Sequence, residues 1–88
     1  MDARTYFERE ARQIIKERRK LYEVSYKQLA KNLEEYGVFM EPQVLINRIN
    51  KGKFSFTFAL QVLAAIGVHS IKIPDYPPTT EDLSYVLD

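Results

Sequence analysis

The sequence predicts an all-α fold of four to five short helices, followed by a short C-terminal strand and a tail. Three observations carry this. Apolar residues recur at helical spacing from about residue 6 to residue 66. Successive patterns are closed by Gly37, Gly52 and Gly67, glycine being favoured just past a helix end. Ser25, the pair Glu41-Pro42, and Ser55 stand where new helices would open.

Taken in order, Thr5 with Glu8 three residues later is a capping-box signal, and Phe7, Ala11, Ile14, Ile15 and Leu21 follow at helical spacing. They predict a first helix over about 6–21, whose outer face carries Arg9, Arg12, Lys16, Arg18, Arg19 and Lys20. Ser25 with Gln28 repeats the capping signal. Tyr26, Leu29, Ala30 and Leu33 then form the apolar stripe of a helix over about 26–36, ended by Gly37. After the apolar connector VFM (38–40), Pro42 opens a third helix over about 42–51, because a first-turn proline lacks only an N–H that had no partner. Leu45, Ile46 and Ile49 face inward, while Gln43, Asn47, Arg48 and Lys51 make one polar face. Ser55 caps a fourth helix over about 56–66, FTFALQVLAAI, which has no charged side chain and is apolar most of the way round. Such a helix is central to the core or pairs with another copy of the chain. HSIKI (69–73) alternates and is β-branched, which predicts a short strand, broken by DYPP. Thr79 with Asp82 caps a last helical turn or two, EDLSYVL. The domain division is therefore 1–73 for the helical body and 74–88 for an acidic tail with a short helix.

Eighty-eight residues make one domain, with 45% apolar residues and eleven aromatics (six Tyr, five Phe) to fill one core. The absence of cysteine excludes disulfides and thiolate metal sites, and a lone histidine, His69, leaves no His-rich cluster. No apolar run is long enough to span a bilayer, and MDARTYFERE lacks the apolar segment of a signal peptide, so a cytoplasmic protein without a membrane partner is expected. No catalytic arrangement stands out. His69 has no acid nearer in sequence than Asp75, Glu34 and Glu35 are adjacent and diverge on a helix, and no glycine-rich phosphate loop exists. A non-enzyme without cofactor or metal is expected.

Charge is divided unevenly. Residues 1–73 hold all 13 Lys and Arg against eight of the 12 acids, a balance of +5; residues 74–88 hold the other four acids and no base. A basic body with an acidic tail suggests a polyanion partner. The order of parts is that of a small helical DNA reader: a supporting helix, a turn, a polar-faced helix and a packing helix behind it. Gln43 and Asn47 carry the carboxamides that pair with adenine, and Arg48 the guanidinium that pairs with guanine, each good pair discriminating by about 1–3 kcal/mol. Ser25, Tyr26 and Lys27 open the second helix, whose free N–H groups suit a phosphate, and Lys51 and Lys53 bracket Gly52. An ordinary solvated face would show the same residue types; the surrounding order of parts favours the DNA reading. Phe54, Phe56 and Phe58 are spaced like a stacking ladder for single strands, but Phe58 falls on the apolar face beside Val62, and core packing is the better reading.

At LAKNL (29–33), NRINKG (47–52) and FSFTFALQVLAAIGV (54–68), the chain resembles the phage-repressor type of helix-turn-helix domain, that of lambda repressor and Cro. The resemblance covers about residues 10–68. It implies a four- to five-helix domain that binds double-stranded DNA as a homodimer, reads the major groove with the helix over about 42–51, and regulates transcription. The start of that helix would read bases, which singles out Gln43 and Asn47, with Arg48 reaching base or phosphate. The fourth helix and HSIKI would supply the dimer surface. The chain departs from the pattern twice, each time by about three residues, close to one turn: between Leu29 and Gly37, and between Gly37 and Gly52, where VFMEP replaces a tight turn. The longer turn and modest net charge favour a rival, a non-catalytic protein-interaction module on the same scaffold. An RNA-binding role shares the basic first helix but lacks a stacking platform.

Overall fold

A computed structural model describes residues 2–78 as four α-helices: α1 (Ala3–Leu21), α2 (Tyr26–Leu33), α3 (Pro42–Lys51) and α4 (Phe56–Ile66). A 3-10 turn, Glu34–Tyr36, extends α2.

Helix starts follow the capping residues, with one correction. The Asp2 carboxylate accepts the Thr5 N–H at 2.8 Å, so α1 opens before Thr5 and the expected Thr5–Glu8 box does not form. Aspartate caps at least as well as threonine, and Glu8 pairs instead with Arg4 at 3.5 Å. Ser25 and Ser55 cap α2 and α4, their Oγ atoms accepting from the N–H of Gln28 and Phe58, each at 3.0 Å. The Gln28 side chain donates forward to Asn32 Oδ1 at 2.7 Å, so only half of that capping box is present.

The ends of α1, α4 and the 3-10 extension of α2 share one device. Val38 N–H reaches back to the Leu33 carbonyl and Gly37 N–H to Glu34; Val68 reaches Leu63 and Gly67 reaches Ala64; Val24 reaches Arg19 and Glu23 reaches Lys20. Each is the paired closure in which a left-handed residue satisfies the last carbonyls and an apolar residue follows it inward. Glu23, at φ +55°, holds the position that glycine holds in the other two.

Ile15, Leu29, Leu33, Leu45, Ile49 and Val62 are fully buried, so all four helices feed one core. α2 packs on α3 and α4, and α1 on the same pair from another side. Two carboxamides tie the layers together: Asn32 Nδ2 donates to the Ala65 carbonyl at 3.1 Å, and Gln61 Nε2 to the Tyr36 carbonyl at 2.8 Å. Gly52 ends α3 at φ +65°, where its Cα lies so close to the Glu8 carbonyl of α1 that an added Cβ would collide with backbone.

The strand expected at 69–73 is absent. Among the described residues there is no second strand to pair with, and a lone strand leaves its backbone groups unmatched. The segment instead lies beside α1 without regular structure, and Ile71 packs on the core. Tyr6 donates its hydroxyl to the Asp75 carbonyl at 2.8 Å, and the Tyr76 ring lies 5.2 Å from that of Tyr6 and 5.8 Å from that of Phe7. The cap at Thr79 and the EDLSYVL helix fall outside the described residues.

Candidate nucleic-acid interface

α3 is anchored by Leu45 and Ile49, which are buried, and this turns Gln43, Val44, Asn47, Arg48 and Lys51 to solvent. Gln43 and Asn47 lie one turn apart and are joined: Gln43 Nε2 donates to Asn47 Oδ1 at 3.1 Å. That bond leaves Gln43 Oε1, the second Gln43 N–H and both Asn47 N–H groups free for a further partner. Arg48 leans toward the start of α4, its guanidinium 4.8 Å from the centroid of the buried Phe58 ring. A contact of this kind is worth about 0.5–1 kcal/mol at an exposed site and restrains the side chain without neutralising it.

A depression of about 380 Å³ gathers Val44, Asn47, Arg48, Lys51 and Lys53, with Phe54 as its apolar wall. Lys53 arrives there because the left-handed Gly52 turns the chain back beside α3. Four of the residues singled out from sequence are thus brought together, and Gln43 joins them through Asn47.

Ser25, Tyr26 and Lys27 form a separate group at the start of α2, and among the described residues no hydrogen bond or ion pair links it to α3. Ser25 Oγ is engaged as the cap, and Lys27 is exposed. Tyr26 is half-buried against the core with the Arg19 guanidinium 4.0 Å from its ring centroid. Arg19 therefore departs from the outer basic face on which the sequence places it. Its Nη1 donates to the Val24 carbonyl at 2.9 Å, and its buried Nε has no hydrogen-bond partner. The signal for this was weak: α1 carries six bases between 9 and 20, and helical spacing alone leaves Arg19 at the edge of the outer face.

Of the three phenylalanines read as core, Phe58 is buried and Phe54 half-buried, their rings 5.7 Å apart, but Phe56 is 75% exposed. Phe56 borders a second concavity, an apolar groove of about 560 Å³ between α1, α4 and residues 68–73. Ile14, Leu60, Leu63 and Ile73 line it, and so does Phe54, which walls both concavities. Among the described residues no cluster of His, Asp and Glu is placed to hold a metal ion. Among the described residues the one displaced titration is that of Asp2, which lines neither concavity: the Thr5 N–H hydrogen bond holds its carboxyl below the usual carboxylate range.

Residues 7–71, which hold the core, all of α2 to α4 and the whole α3 face, match the family described as a domain of unknown function (DUF6471). The chain belongs to the DUF6471 family. No curated protein and no solved structure matches it. The DUF6471 match stops at Ile71, so Ile73, which completes one wall of the groove, and the acidic segment lie beyond it. No helix of the DUF6471 domain, among the described residues, is long and apolar enough to cross a membrane.

Proposed function

We propose that this DUF6471 domain binds double-stranded DNA sequence-specifically, as a helix-turn-helix module that lays α3 in the major groove and regulates transcription. The observation that carries this reading is the α3 face itself: two joined carboxamides, a guanidinium and Lys51 on one side of a helix whose other side is anchored in the core, with Lys53 brought beside them after Gly52. That combination matches what base edges and flanking phosphates require. α2 serves as the supporting helix, residues 37–41 as the turn, and the exposed Lys27 at the start of α2 as a further phosphate contact. A single small module reads too few bases for high affinity, and pairing on half-sites about one helical turn apart supplies the rest. The apolar groove between α1 and α4 is the surface we assign to that pairing.

The test is binding of duplex DNA followed by fluorescence anisotropy as salt is raised. Each phosphate contact contributes about −0.9 to the log–log slope. Asn47→Ala and Arg48→Ala should weaken a selected site by about 1–3 kcal/mol more than random duplex, whereas Lys53→Ala should weaken both alike. Equal effects of all three on both sequences would remove α3 as a base reader. Absence of binding at low salt favours the second reading, a non-catalytic protein-interaction module. The observation favouring that reading is the groove, where Phe56, Leu60 and Ile73 are all at least half exposed.

A further inference from the structure

Val44 is an apolar side chain, 52% exposed, on an otherwise hydrogen-bonding face. It points away from the buried Leu45 and Ile49, and the structure gives it no place in the core cluster. Nor does local preference account for it, since a β-branched residue on an exposed helix face is a weaker helix former than lysine or glutamine. Single exposed apolar residues are common. What distinguishes Val44 is its setting. Gln43 precedes it, Asn47 and Arg48 follow one turn on, and it shares a depression with Asn47, Arg48, Lys51 and Lys53.

We propose that Val44 is a specificity residue that packs on the 5-methyl group of a thymine, beside an adenine read by Gln43, so that the half-site under the first turns of α3 contains A·T pairs. This rests on the DNA reading given above. In the major groove adenine offers N7 as acceptor and N6 as donor, and thymine offers O4 and the methyl group; that methyl is the one apolar feature of the four bases there. Gln43 meets adenine with both ends of one amide, Oε1 accepting from N6 and the second N–H donating to N7. Asn47 Oδ1 holds the other Gln43 N–H and fixes the plane of that amide, which makes Asn47 a positioning residue for this contact. Its own two N–H groups stay available to the next base. Lys51 and Lys53 supply sequence-independent attraction at the same depression and keep Val44 in contact with the groove floor.

Deoxyuridine differs from thymidine only by the missing methyl, which makes it the probe. Duplexes enriched from a random pool by the full-length chain are resynthesised with each thymine replaced in turn. Burying one methyl is worth about 0.8 kcal/mol, close to a four-fold change in Kd. The wild-type chain should lose about four-fold at one thymine per half-site, and Val44→Ala should bind the two duplexes equally, while other thymines behave alike for both proteins. Val44→Thr keeps the branched shape with one methyl and should show an intermediate loss. Unchanged denaturation midpoints confirm that both variants fold. Equal sensitivity of wild type and Val44→Ala to deoxyuridine at every position, or enriched sites lacking a common thymine, would overturn the assignment. Failure to retain any duplex at low salt would instead overturn the DNA reading beneath it.

Discussion

Arg19 carries a charge into a place where most bases of α1 do not go. Its Nη1 bond to the Val24 carbonyl and its seat over Tyr26 offset the cost of a buried, unpartnered Nε. A hydrogen bond from a charged group is worth about 1.5–3 kcal/mol. Arg19→Ala should therefore lower stability by about 2 kcal/mol in urea denaturation, with Arg19→Lys falling between, because an ammonium cannot stack and bond at once through a planar fork. On the proposed DNA-binding reading, the salt slope should be the same for all three proteins, which separates a structural cation from a phosphate contact. At the other end of α1, Asp2 has its carboxyl titration lowered by the Thr5 N–H. A depressed folded value means that its contribution is present above the unfolded value and lost as pH falls through the folded one. Acid should thus fray the start of α1, and Asp2→Asn, which keeps a capping oxygen, should flatten that part of the acid limb when helicity is followed by circular dichroism.

Helix ends, more than helix bodies, decide how these elements meet. Gly52→Ala must force a left-handed alanine, costing about 1–2 kcal/mol, and also push α3 off the Glu8 carbonyl. Its total cost should exceed about 2 kcal/mol in thermal denaturation. Gly37→Ala has the same backbone penalty, but its Cβ meets only Gln61 Nε2 at 3.8 Å, so about 1 kcal/mol is expected. Both glycines were legible in the sequence as stops, and with Ser25, Pro42 and Ser55 they place α2, α3 and α4 almost to the residue. The end of α1 was harder to read because Glu23 occupies a glycine position; the valine after it is the same apolar residue that follows Gly37 and Gly67, and that was the available signal. HSIKI misled for a different reason. Alternation records which side chains could face a core, but a strand also needs a partner; here Ile71 packs on the core and the Tyr6 hydroxyl ties the chain to α1 just beyond the stretch, at Asp75. The α3 face was legible because its polar residues fall on one side at helical spacing. The bond between Gln43 and Asn47, the lean of Arg48 onto Phe58 and the groove beside α4 depend on rotamers and on distant segments meeting, which spacing does not encode.

On the scale of the whole molecule, the uncharged stretch 54–68 leaves an apolar concavity where a body of this size can least accommodate one. Light scattering at micromolar concentration should show a dimer, and Leu60→Glu, at a half-exposed position, should convert it to a folded monomer. Removing residues after Pro78 should leave the dimer intact. A monomeric full-length chain that aggregates after that cut would show that the acidic segment, and no second copy, shelters the groove. Phe54 gives this surface a consequence for the other. Its side chain lines both the groove and the depression holding Asn47 and Arg48, so it is a party wall between two tenants. An occupant that rotates the ring from one side reshapes the room on the other, and the exchange is reciprocal: whatever factor groove occupancy applies to affinity at α3, a ligand at α3 returns to the groove.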